Sequence, residues 1–126
     1  MRITIQGANA TIEITLVENS ATRTLSEMLP LHIASFEKWG EEIYFTLPEK
    51  IPTDELTTDL SINDIGIWPS GNCFCIFYGR TPMSTSDAPM PASGVAVIGK
   101  ITAHASNCHI IEGPLTIHAV GTEENK

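Results

Sequence analysis

Two apolar runs, CFCIFY at residues 73–78 and VAVIGKI at 95–101, constrain this chain more than anything else in it. Most of their positions are β-branched, aromatic or cysteine, and each run is too short for a core-spanning helix, so both read as buried strands. Between them lie residues 79–94, rich in Ser, Pro and Met. That segment is too long for a hairpin turn. An irregular stretch of this length in a compact domain is either functional or a variable surface connection. Its Met83 and Met90 suit an adaptable pocket cover as well as plain packing on the strands.

The rest of the chain repeats the strand theme. Residues 2–6 and 11–17 alternate, with Ile3 and Ile5 on one side and Ile12, Ile14 and Leu16 on one side. Gly7, Ala8 and Asn9 join them, which predicts a hairpin with one wet face. The period changes at 19–29, where Ala21, Leu25, Met28 and Leu29 form a helical stripe. Asn19 or Ser20 can cap that helix, and Pro30 stops it. Further strands are predicted at 31–36, 42–47, 64–68 and 115–120, with a bend at Trp39-Gly40 and a turn at 69–72. Residues 48–63 read as a polar loop with one helical turn at 53–56. About eight strands and one clear α-helix predict a mainly β fold, an antiparallel sheet closed as a barrel with the helix plugging one end. One domain covers residues 1–126, with the polar 121–126 as a frayed tail.

Composition narrows the function. The net charge is -8, from 15 acidic and 7 basic residues, and the basic residues are scattered. Nucleic acids and anionic membranes both need clustered positive charge, so neither is an expected partner. No apolar run approaches the ~20 residues of a transmembrane helix. The first residues, MRITIQ, alternate and lack a signal peptide's apolar core, so the expected location is the cytoplasm. The three cysteines cannot all pair. Cys73 and Cys75 face one side of a strand with α-carbons roughly 6.5–7 Å apart, at the limit for a disulfide. Reduced thiols are expected. His104, Cys108 and His109 match no zinc spacing, so no metal and no cofactor are predicted.

The segment 71–101 resembles the second half of a cyclophilin. Cyclophilins carry Asn-Gly-Ser-Gln-Phe-Phe-Ile, a Lys-Thr or Arg-Thr step, a loop and a Val-Phe-Gly-Lys-Val strand. Here stand NCFCI at 72–76, RTP at 80–82 and VIGKI at 97–101. The chain is similar almost end to end to small prokaryotic cyclophilin-like proteins of unknown function. Shared with them are the hairpin, a helix ending in LPL at 29–31, WGEEIYF at 39–45, WPSGN at 68–72 and IFYGRTP at 76–82. The resemblance implies a cyclophilin-like barrel, not an activity.

Taken one position at a time, it also implies that most of the cyclophilin chemistry is missing. The arginine that binds the prolyl carbonyl corresponds to Phe45. The second phenylalanine of the pocket corresponds to Cys75, the tryptophan to Met83 and the histidine to Val95. Proline isomerisation has a barrier of ~18–20 kcal/mol set by amide resonance. Without a fixed cation to weaken that resonance, an apolar groove binds but has little means of catalysis. No catalytic residue is therefore assigned. The groove candidates are Phe45, Trp68, Phe74, Cys75, Met83 and Val95. The expected function is binding of a small ligand or peptide segment. The alternatives are a weak peptidyl-prolyl isomerase and a structural interaction module, such as a homo-oligomer joined through a strand face.

Overall fold

Alternation on the first hairpin translates directly into burial. On β1 (Arg2–Gln6), Ile3 and Ile5 pair with Ile14 and Ile12 on β2 (Thr11–Leu16), and all four are fully buried. In the computed structural model residues 1–120 are described, and the expected tail at 121–126 lies outside them. After the hairpin come α1 (Ser20–Glu27), β3 (Leu31–Ile33), β4 (Glu37–Lys38), β5 (Glu42–Thr46), β6 (Asp64–Trp68), β7 (Cys73–Phe77), β8 (Ala96–Ala103), a short 3₁₀ helix (Ala105–His109) and β9 (Leu115–Ala119).

Helix α1 begins as its sequence predicts. Asn19 is the N-cap: its side chain accepts from the Thr22 backbone N–H at 3.0 Å, while the Thr22 hydroxyl accepts from the Asn19 N–H at 3.0 Å. This reciprocal box satisfies two of the free donors of the first turn. Ala21, Thr22 and Leu25 form the buried face, and the helix ends at a Met28 cap shortly before Pro30.

The sheet has nine strands in the order β3-β9-β1-β2-β8-β6-β7-β5-β4, every described pairing antiparallel. It is an open, curled half-barrel, not the closed barrel of about eight strands that the pattern suggested. The edges β3 and β4 do not pair with each other, and residues 31–37 face 44–48 across a cleft of about 570 Å³. Very short edge strands, three and two residues long here, are one way a sheet limits exposed pairing groups without closing. The additional strand is β4, whose two residues carry no readable period. The expected helical turn at 53–56 is also absent. That stretch is irregular, and Thr57 beyond it forms an isolated bridge with Val95.

Both faces of the β5–β7–β6 region are covered. The inner face joins the main core, which holds Leu25, Ile43, Phe45, Ile65, Ile67, Phe74 and Ile76 with the isoleucines of β1 and β2. The outer face carries a second cluster of Leu60, Cys73, Cys75, Phe77 and Val95, with Tyr44 and Trp68 packed on it. All five residues of β7 are therefore buried, which explains its uninterrupted apolar sequence. All three cysteines are free thiols.

Candidate functional site

The site is built on the turn between β4 and β5. The Trp39 N–H donates to the Glu42 carbonyl at 2.9 Å and the Glu42 N–H to the Trp39 carbonyl at 3.2 Å. Only Gly40 and Glu41 lie between them. Gly40 has φ +61, whereas Glu41 is not among the positive-φ residues, the pattern of a type II′ hairpin turn. Residues that flank such a turn lie opposite each other, so the side chains of Trp39 and Glu42 share a face. Tyr44 follows Glu42 at period two and joins them on the outer face. Across the sheet Tyr44 pairs with Cys75, while Trp68 pairs with Cys73. The Trp68 indole N–H donates to the Ser93 hydroxyl at 2.7 Å, which ties the ring to the segment before β8.

Together Trp39, Glu42, Tyr44, Trp68 and Ala92 line a cavity of about 170 Å³. Its three aromatic residues are half-buried, whereas Glu42 is only 7% exposed. Burial pushes the Glu42 carboxyl up to about 7, and the adjoining Cys75 thiol, a weak donor, lowers it slightly. The described ion pairs do not include Glu42. Cys75 lies beneath, and its thiol is pushed far above the ordinary range by burial and then by the Glu42 charge. Such a thiol is no nucleophile, because the thiolate is the reactive form. In the same row of the sheet, across Phe77, Asp64 is already satisfied, with Lys100 Nζ at 3.2 Å and the Ser61 N–H at 2.8 Å.

The structure divides the groove residues expected from sequence. Trp68, Cys75 and Val95 come together on the outer face, Trp68 at the cavity and the other two under it. Phe45 and Phe74 sit inside the half-barrel instead, stacked with ring centroids 5.2 Å apart. Met83 is 50% exposed and does not line the cavity. None of the three clefts described is lined by both Phe45 and Met83, so the single groove expected beside them is absent from these. Period two along β5 puts Tyr44 and Phe45 on opposite faces and does not say which face is the interior. Trp39, Glu42, Tyr44 and Ala92 were not among the expected site residues. The signal that could have found three of them is Trp-Gly-Glu-Glu-Ile-Tyr, a glycine turn followed by period two.

Two larger clefts are less specific. One of about 820 Å³ lies between the start of α1, residues 52–57 and Ala96-Val97, and its Asn19 is already used as the helix cap. The other is the cleft at the open seam. At the 3₁₀ helix, Cys108 is fully buried while His104 and His109 are exposed, and among the described residues no three His, Cys, Asp or Glu side chains are grouped to hold a metal. No described helix is long and apolar enough to cross a membrane.

The open antiparallel sheet, the one short helix and a small cavity on the outer face define a β half-barrel domain. A family model described as cyclophilin-like matches residues 1–114, and the chain belongs to that family. It is similar to the hypothetical protein AF2241 of Archaeoglobus fulgidus, whose solution structure aligns with a TM-score of 0.79 at 29% identity, over 94% of this chain and 93% of that one. No curated protein matches.

Proposed function

We infer that this cyclophilin-like domain is a binding protein that takes a small ligand, or a protruding group of a peptide, into the cavity under Trp39, Tyr44 and Trp68. The observation that carries this reading is Glu42, a carboxyl held in an apolar cavity without a described ion-pair partner. A buried charged group costs free energy unless something pairs with it, so its retention favours a role with a ligand. A carboxyl poised near neutrality also suits a general base. Here no usable nucleophile lies beside it, which favours binding over covalent catalysis. Isomerase chemistry is disfavoured because β5, β6, β7 and β8 carry no arginine.

The test uses the two indole N–H resonances of the chain, since both tryptophans line the cavity. Titration with a set of small fragments and short peptides is expected to shift both resonances together. If millimolar concentrations move neither, the reading falls. In parallel, the cis–trans exchange rate of a Xaa-Pro peptide is expected to equal that in buffer.

A further inference from the structure

We propose that this cavity receives a methylated ammonium group, with Trp39, Tyr44 and Trp68 around its methyls and the Glu42 carboxylate facing its charge. The inference deepens the binding reading above and rests on it.

Size comes first. Pockets that enclose whole small molecules measure roughly 300–1,000 Å³. At about 170 Å³ this one fits a head group or the end of a side chain. Chemistry comes next. An anion is opposed by Glu42. A neutral apolar group would keep that carboxyl desolvated and bring no charge to pair with it. Calcium needs six to eight oxygen ligands, and structural zinc needs four His, Cys or carboxylate ligands, whereas among the described residues a single carboxylate lines this cavity. An unmethylated ammonium is compact and strongly hydrated, and a cavity walled mainly by aromatic rings replaces little of that hydration. A methylated ammonium has a diffuse charge and apolar methyl surfaces. Aromatic faces attract it through their quadrupoles, with tryptophan the strongest. The close aromatic contacts among the described residues are Phe45–Phe74 and Tyr78–His109, so the three cavity rings are not stacked on one another. A net charge of -8 adds a field that draws cations towards the surface.

The test compares choline with 3,3-dimethylbutan-1-ol, its uncharged isostere, on the whole chain by calorimetry and tryptophan fluorescence. Choline is expected to bind at least ~10-fold tighter than the alcohol. Glu42→Gln is expected to remove most of that preference, and Trp68→Phe to weaken choline about 3- to 10-fold. Should Trp68→Phe fail to fold, the isostere pair and Glu42→Gln still decide. Equal binding of choline and the alcohol overturns the cation assignment and leaves the binding reading standing. Silence of both, together with the fragments and peptides, overturns the two. A peptide bearing one trimethyl-lysine, set against its unmodified form, separates the sources. Tighter binding than choline assigns a chain-borne group, and choline binding alone assigns a free one. If both peptides bind and the unmodified one binds as tightly as the methylated one, the proposal is overturned.

Discussion

Trp39 and Glu42 exchange backbone hydrogen bonds of 2.9 and 3.2 Å across a turn of only two residues. The exchange sets an indole and a buried carboxyl against one another as two walls of one cavity. Glu41, inside the turn, leaves that face: its carboxylate accepts from the Arg80 N–H at 3.0 Å and lies 3.8 Å from the His109 ring nitrogen Nδ1. One short hairpin thereby shapes the cavity and anchors the start of the segment at 79–94.

Gly40 makes this possible in two ways. Its φ of +61 is one that side chains rarely adopt, and a Cβ there would stand 2.8 Å from the Arg80 carbonyl oxygen. Gly40→Ala is expected to cost about 1–3 kcal/mol in urea unfolding. It is also expected to alter the tryptophan fluorescence of the native state, because Trp39 moves with the turn. Unchanged stability and emission would show that the turn tolerates another geometry.

The Glu42 carboxyl makes stability depend on pH. Its value rises from 4.5 to about 7 on folding. The folded state therefore holds a proton that the unfolded state releases between those values. The associated stabilisation is complete below pH 4.5, declines as pH rises, and is gone above about 7. The shift is worth at most ~3 kcal/mol, and roughly 1–2 kcal/mol once solvent at the cavity mouth is allowed for. Facing Glu42 from β7 is the Cys75 thiol, while Asp64 in the same row is neutralised by Lys100. Glu42→Gln is expected to abolish this fall and to exceed the parent in stability at pH 8. Parallel urea midpoints for the two proteins between pH 4.5 and 8 would contradict it.

Much of the fold was legible in the sequence, and the cavity only in part. The Ile3/Ile5 and Ile12/Ile14 alternation, the Asn19 cap and the Pro30 stop each act within a few residues, and the structure keeps all three. Barrel closure was not legible, because it depends on whether the edge strands β3 and β4 meet across the seam, and no local period records that. The site was blurred for a related reason. Period two separates Tyr44 from Phe45 and Phe74 from Cys75, but the side that becomes interior is chosen by distant partners. Here the outer side is also buried, by Leu60, Val95 and the segment before β8, so hydrophobicity could not choose between the two.

That ambiguity has an experimental form. Phe45 is 4% exposed and stacks on Phe74, so Phe45→Ala is expected to cost about 3–5 kcal/mol, the range for an aromatic removed from a core. Tyr44 is half-buried at the cavity, and Tyr44→Ala is expected to cost roughly 1–2 kcal/mol. Choline affinity is expected to fall in Tyr44→Ala and to hold in Phe45→Leu. Equal costs for the two alanine variants, or lost affinity in Phe45→Leu, would exchange the faces.

Asn72 ends the turn that leads from Trp68 into β7, and it sits at φ +51. Its side-chain amide donates to the Glu49 carbonyl at 2.8 Å and, more weakly, to the Leu47 carbonyl at 3.4 Å. Its side-chain oxygen accepts from the Ile51 N–H at 3.1 Å. One residue thus satisfies three backbone groups of the stretch that follows β5. Substitution separates the two contributions. Asn72→Gly keeps the left-handed backbone at no steric cost but drops the hydrogen bonds, an expected loss of about 1–3 kcal/mol. Asn72→Ala drops both and is expected to lose ~1 kcal/mol more. In each variant the Ile51 amide is expected to exchange its hydrogen faster, because its acceptor is gone. If alanine and glycine cost the same, the left-handed conformation at 72 contributes nothing. If Ile51 exchange is unchanged, the stretch is held by Ile51 burial alone.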